Sequence, residues 1–361
     1  MSIPTEPIGS IPRPPELMKA AQELAAGRIR PDAYRAVVDR AVRETIELFE
    51  ATGSPVITDG EQGKPSFATY PIDGLPNLAP DGVVIPFADG HVRQLPRLTA
   101  GPFRYRTHAD SYLEAALRHA HVPVKAAVIS ASALSLLYPQ DGIEGYSRDA
   151  FLLDLVREAT ADIRGCLEGG AHKVQIDFTE ARLSVKLDPS QRLLQSFIDI
   201  NNRVLDQFSA ADRMRIGVHT CPGGDNDSTH SADVDYAELL PSLFDLHAGS
   251  FYIQLASEAD RPRVLGVIKK HAKPNLRIFV GVIDPINPRI ETAEEVRDRV
   301  LEAAEFIEPS RLGTCDDCGF SPFGDDVSTG RETAFAKIRA RVEGTNLAAQ
   351  ELGLPAVGRI A

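Results

Sequence analysis

The sequence has few cysteines, no apolar run long enough for a bilayer and no excess of positive charge, and each shortage removes a class of protein. Four cysteines in 361 residues are too few for a disulfide scaffold. In a reducing compartment, clustered cysteines point instead to a metal or to catalysis. No stretch approaches the roughly 18 apolar residues of a membrane helix. Lysine and arginine number 39 against 51 acidic residues, a formal charge of −12, which argues against a generic nucleic-acid or anionic-membrane surface. The start, Met1-Ser2-Ile3-Pro4-Thr5-Glu6-Pro7, lacks the basic and apolar regions of a secretory signal, so the expected location is the cytoplasm. No Gly-x-Gly-x-x-Gly follows the first apolar run, and no linker or internal repeat divides the chain.

What is present alternates. Ile8-Gly9-Ser10-Ile11-Pro12-Arg13-Pro14-Pro15 reads as an N-terminal arm, because its prolines remove backbone donors. Two amphipathic helices follow, the second carrying Tyr34, Val37, Val38, Ala41, Val42, Thr45, Leu48 and Phe49 on one face. After Gly53 a short strand, Pro55-Val56-Ile57-Thr58, delivers Asp59-Gly60-Glu61 at its end. Val83 to Phe87 and His91 to Leu95 predict a hairpin around Asp89-Gly90, since Asp-Gly tolerates the positive φ of a tight turn. Short β-rich runs then recur at Val124 to Ser130, Val174 to Asp177, Ile216 to Cys221, Phe251 to Gln254 and Ile278 to Asp284. Between and after them lie amphipathic stretches near 147–168, 190–209, 232–247, 258–272, 292–307 and 329–352, with a capping-box spacing at Thr292-Ala293-Glu294-Glu295. Counting a second strand near 97–104 and a last near 311–315 gives eight. The expected fold is an α/β (β/α)8 barrel, with residues 1–53 as an N-terminal helical extension and 54–361 as the barrel of a single domain.

In such a barrel the C-terminal strand ends converge on one face. They carry Asp59 and Glu61, Asp177, His219 and Cys221, Gln254, Asp284, and Cys315 and Cys318. His219 and Cys221 stand two apart on extended backbone, so both side chains point the same way and can reach one ion. Cys318, about a hundred residues on, supplies a second thiolate if the fold closes, and one imidazole with two thiolates suits zinc. Each residue also has a plainer reading: His219 as a hydrogen-bonded core histidine, Cys221 as a small buried hydrophobe, and Cys315-x-x-Cys318 as a redox or inert pair. Cys166, inside an amphipathic helix, reads as packing.

These residues carry a resemblance. Ile8-Gly9-Ser10, Asp59-Gly60-Glu61, Gln175-Ile176-Asp177, His219-Thr220-Cys221, Gly281-Val282-Ile283-Asp284 followed by Pro288, and Asp317-Cys318-Gly319 occur in the order found in the cobalamin-independent methionine synthase family. The chain resembles its C-terminal catalytic barrel and single-barrel relatives. The resemblance implies a zinc ion held by His219, Cys221 and Cys318 that deprotonates the thiol of homocysteine, with a methylated folate as donor. It implies that the backbone of Ile8, Gly9 and Ser10 meets the amino-acid carboxylate, and that Glu61 and Asp177 counter the ammonium group.

Three features depart from the family pattern. Gln254 stands where methionine synthases place a zinc-ligating glutamate, leaving Gln254 or Cys315 as the fourth ligand. The chain has no tryptophan, and Tyr138 stands where the family sets an aromatic ring beside the pterin. Pro222-Gly223-Gly224-Asp225-Asn226-Asp227 differs from the family loop. Three alternatives therefore stay open. One is a zinc transferase of another thiol and alkyl donor, like the epoxyalkane–coenzyme M transferases. The second is a non-catalytic barrel closed by a Cys3His zinc site, and the third a decarboxylase of the related porphyrin family.

Overall fold

The computed structural model describes residues 2–357, so residue 1 and residues 358–361 of the expected unit lie outside the described residues. Six parallel strands form the main sheet, in the spatial order Leu312–Asp316, Arg277–Ile283, Ser250–Ile253, Ile216–Thr220, Lys173–Asp177 and Lys125–Ile129. Their residues are buried almost throughout, as expected of strands covered on both faces. Helices Arg148–Glu168, Arg192–Leu205, Tyr236–Leu243, Arg261–His271, Ala293–Ala304 and Arg331–Glu351 follow the periodicity of the sequence. The capping box at Thr292 is formed, with both the Thr292 and Glu295 side chains engaged.

Two single bridges extend this sheet. Ile57 pairs in parallel with Val124 at one edge, and Thr5 pairs in parallel with Thr314 at the other. The added segments then meet each other: Thr58 donates to the Gly9 carbonyl at 2.8 Å, and the Ile11 amide donates to the Gly60 carbonyl at 3.0 Å. The sheet thus curls into the (β/α)8 barrel.

One stave is not where the sequence placed it. The segment near 97–104 is not a barrel strand; Arg97–Leu98 pairs antiparallel with Leu78–Ala79 in a separate two-stranded piece. Pro96 precedes that segment and Pro102 lies inside it, and both remove donors a central ladder needs. Its place is taken by the N-terminal arm. There Pro4 and Pro7 leave Thr5 and Glu6 extended, and the Thr314 amide donates to the Pro4 carbonyl at 2.9 Å while the Glu6 amide donates to the Thr314 carbonyl at 3.0 Å.

The hairpin forms as expected, with Val84–Pro86 antiparallel to Val92–Gln94. It folds back over the barrel mouth. Arg93 pairs with Asp225 at 2.5 Å and Asp325 at 2.9 Å, and the Ala88 amide donates to the Thr229 carbonyl at 2.9 Å. The hairpin therefore ties together the two loops that follow Cys221 and Cys318. Among the described residues no helix is long and apolar enough to cross a membrane.

Candidate metal centre

Strand register sets the site. Lys173–Asp177 and Ile216–Thr220 lie side by side with Asp177 opposite His219, and Ser250–Ile253 places Tyr252 on the other side of His219. Cys221 follows directly. Cys318 arrives from the loop after Leu312–Asp316, whose preceding residue is fixed: the Asp317 carboxylate accepts from the amides of Leu255, Ala256 and Ser257 at 2.7 to 2.9 Å.

The ligand atoms of His219, Cys221 and Cys318 all lie within 4.8 Å of one another, and all three residues are buried. The two sulfurs are 3.3 Å apart with no disulfide between them, near the roughly 3.7 Å that two thiolates of a tetrahedral zinc site would span at 2.3 Å each. Neither ring nitrogen of His219 has a hydrogen-bond partner among the described residues, although the residue is 1% exposed. A core histidine would have one, because an unmet buried polar atom costs about 1–3 kcal/mol. The donor set and the orphaned nitrogens fit a bound cation. Cys318 is held well below the usual thiol value by its hydrogen bond to Cys221 and by His219, against burial, while Cys221 is pushed up by Cys318 and by burial.

Beside the centre lies a small cavity of about 30 Å³, lined by Ile8, Ser10, Glu61, Asp177, His219 and Cys318 among others. The sequence-predicted residues thus come together. Ser10 is packed against the cysteine loop: its hydroxyl accepts from the Ser321 amide at 3.2 Å, and a side chain at Gly319 would meet that oxygen at 2.0 Å. The Ile8 and Gly9 carbonyls accept from Gln175 at 3.1 Å and Thr58 at 2.8 Å. Glu61 has a left-handed φ of 56°, uncommon for a residue with a side chain, and pairs with buried Lys64 at 3.0 Å. The Asp177 carboxyl is pushed up to about 6 by burial, held back by His219 and raised further by Glu61.

Two expected residues, Cys315 and Tyr138, are placed elsewhere, and a third, Gln254, is engaged by other side chains. Cys315 is not in the cluster; its sulfur faces the Phe279 carbonyl at 3.7 Å, inside a buried group with Ile8, Tyr252 and Phe279. Depth accounts for this, since Cys315 lies within Leu312–Asp316 at the level of Tyr252 and Phe279, and Cys318 in the loop beyond the strand end. Gln254 is occupied, donating to Ser257 at 2.6 Å and accepting from Arg182 at 3.5 Å. Tyr138 lines neither cavity: its hydroxyl donates to the Tyr146 carbonyl at 2.7 Å and its ring packs on Phe151.

A second, mostly apolar cleft of about 800 Å³ adjoins the first and shares Phe67, Thr179, Gly223 and Gly224 with it. The hairpin residues Ile85, Phe87, Arg93 and Leu95 form part of its wall. Gly223 has φ 71°, and a side chain there would strike the His230 ring at 1.8 Å, so the turn after Cys221 needs glycine. Sequence reading missed Glu180, also in this wall. Its position three residues after Asp177 was the available signal.

A parallel barrel whose strand ends gather an imidazole and two thiols beside a small cavity defines an enzyme of the (β/α)8 class with a metal-ready centre. A family model, cobalamin-independent synthase, catalytic domain, matches residues 126–343. The chain belongs to that family. It is 23% identical over 350 residues to a methionine synthase of Sulfurisphaera tokodaii, covering 97% of this chain and 94% of that protein. It is 24% identical over 352 residues to the 5-methyltetrahydropteroyltriglutamate–homocysteine methyltransferase of Nitratidesulfovibrio vulgaris, covering 95% of this chain but 42% of that protein. A B12-independent methionine synthase structure from Shewanella sp. W3-18-1, in complex with selenomethionine, shares the fold with a TM-score of 0.75 at 18% identity, over 98% of this chain and 99% of that one.

Proposed function

We propose that this chain is a cytoplasmic, single-domain, zinc-dependent methyltransferase that moves a methyl group from a methylated folate to the thiol of homocysteine. The observation that carries the reading is the trio His219, Cys221 and Cys318, with both imidazole nitrogens unpartnered, opening onto a cavity edged by Ser10, Glu61 and Asp177. Zinc held by the trio would supply the thiolate, since an ordinary thiol with pKa near 8.5 is about 97% protonated at pH 7. Asp177 and Glu61 line the small cavity and would hold the ammonium group. The Ile8–Ser10 segment would receive the carboxylate and set the sulfur toward the three ligands. The large cleft takes the donor, and its apolar walls exclude the water that would otherwise compete.

Metal analysis of protein purified without chelators, paired with detection of methionine formed from homocysteine and 5-methyltetrahydrofolate, tests the reading. It expects close to one zinc per chain and methionine that requires the metal. Well under one zinc per chain, or no methionine from the zinc-loaded protein, contradicts it.

A second reading, transfer between another thiol and alkyl donor as in the epoxyalkane–coenzyme M transferases, draws on Gln254 bound to Ser257 and Tyr138 lying outside the cleft. It predicts that a thiol lacking the amino group, such as 2-mercaptoethanesulfonate, binds more tightly than homocysteine. The closed Cys3His reading has lost its fourth ligand to the Phe279 carbonyl.

A further inference from the structure

Glu180 is the one carboxyl group in the wall of the large cleft that is almost wholly buried and has an unused oxygen. The residue is 4% exposed, and its Oε2 has no hydrogen-bond partner among the described residues. Its other oxygen is fully engaged. Ser130 donates to Oε1 at 2.6 Å, and Ser132 donates to the same atom. The directions are set from behind: the Ala133 amide donates to the Ser130 oxygen at 3.1 Å, and Asn201 donates to the Ser132 oxygen at 2.7 Å, so both hydroxyl protons are free to point at Oε1. A proton carried by this carboxyl therefore sits on Oε2. The neighbouring Thr179 lines both the cleft and the small cavity that holds His219 and Cys318, which puts Glu180 at the junction between the thiol and its donor.

Methyl transfer from nitrogen needs such a proton. An amine leaves poorly as an anion, and proton delivery to the leaving atom lowers that barrier. We propose that Glu180 is the general acid that protonates the donor nitrogen as the methyl group departs. This rests on the methyltransferase reading above. In the step the sulfur–carbon bond forms, the carbon–nitrogen bond breaks, its electron pair goes to nitrogen, and nitrogen takes the proton from Oε2. The carboxylate left behind regains a proton from water once the product has gone. Burial pushes the Glu180 carboxyl up to about 7, the two serine hydroxyls work against this, and the Asp177 charge adds to it. The group is thus substantially protonated at neutral pH and able to give the proton up.

Glu180→Gln tests this, assayed with two methyl donors. One is 5-methyltetrahydrofolate, whose nitrogen needs a proton. The other is methyl iodide, whose leaving iodide needs none. The expected result is a fall of about 10²- to 10⁴-fold in turnover with the folate, with KM little changed, and an unaltered rate of methyl iodide attack by bound homocysteine. Wild-type turnover with the folate should also decline as pH rises through about 7, and the decline should vanish in the variant. Equal losses with both donors would overturn the acid and leave Glu180 a positioning residue. Turnover with the folate within a few-fold of wild type would overturn it outright. A wild-type enzyme that transfers methyl from iodide but never from the folate would remove both the acid and the folate reading, an outcome distinct from failure of Glu180 alone.

Discussion

The two halves of the barrel interior differ at particular buried polar groups. Toward the N-terminal strand ends, charges answer one another: Glu6 accepts from Lys173 at 2.7 Å and from Tyr252 at 2.5 Å, while Lys125 donates to Gln175 at 2.7 Å and stands 4.0 Å over the Tyr252 ring. Toward the C-terminal ends Glu61 still pairs with Lys64, but among the described residues both His219 nitrogens and one Glu180 oxygen have no partner. Satisfied polar groups specify packing; unsatisfied ones mark where a ligand completes the structure. Gln175 joins the halves, donating downward to the Ile8 carbonyl and upward to Asp177 at 2.7 Å.

The comparison breaks most readily at the metal centre. Cys318→Ser should abolish zinc retention and thiol methylation; loss of the bound thiolate alone accounts for about 30-fold at pH 7, given a free thiol pKa near 8.5. Metal content and methionine formation check this, with circular dichroism expected to be unchanged. In the satisfied half the effect falls on stability instead. Glu6→Ala leaves buried Lys125 and partly buried Lys173 without their counter-charge and should cost about 3–5 kcal/mol in denaturant unfolding.

The same carboxylate makes a pH prediction. Burial would raise Glu6, but Lys173 and Lys125 outweigh it and hold the group down to about 2 from 4.5. A depressed carboxylate contributes stability that is present above about pH 4.5 and lost as pH falls through about 2, on the order of 3 kcal/mol here. Acid titration of unfolding in wild type, set against the Glu6→Ala variant, should isolate that slope.

Smaller effects sharpen the boundary between the halves. Asp177→Asn should weaken homocysteine binding by about 1.5–3 kcal/mol, the scale of a charged hydrogen bond, and leave zinc content alone. Equal affinity for homocysteine and for a thiol without the amine would remove Asp177 from that role. Tyr138→Phe should cost only about 0.5–1.5 kcal/mol of stability, through its bond to Tyr146, and leave donor affinity unchanged.

Much of this was legible from residue patterns. Buried parallel strands announce themselves as short β-rich runs, and helices by their apolar period, so six strands, the hairpin and the capped helix at 292 fell where expected. His219 and Cys221 were readable because strand geometry makes i and i+2 neighbours. Cys318 needed the closed barrel. What escaped depends on tertiary contacts. Thr5 becomes a stave only because Thr314 pairs with it, and prolines on both sides hide that from any propensity argument. Tyr138 shares its region of sequence with Ser130 and Ser132, yet its hydroxyl bonds the Tyr146 carbonyl and its ring packs on Phe151, outside the cleft. Glu180 opens the short helix Glu180–Leu187, and beyond its spacing from Asp177 nothing in the sequence says that two serines will occupy one of its oxygens and leave the other.

The central claim is that the trio holds zinc with one position open to a thiol. X-ray absorption at the zinc edge, recorded before and after adding homocysteine, tests it most directly. The account predicts two sulfurs in the coordination shell before addition and three after. Three sulfurs present from the outset and unchanged by homocysteine would show a closed centre and contradict it.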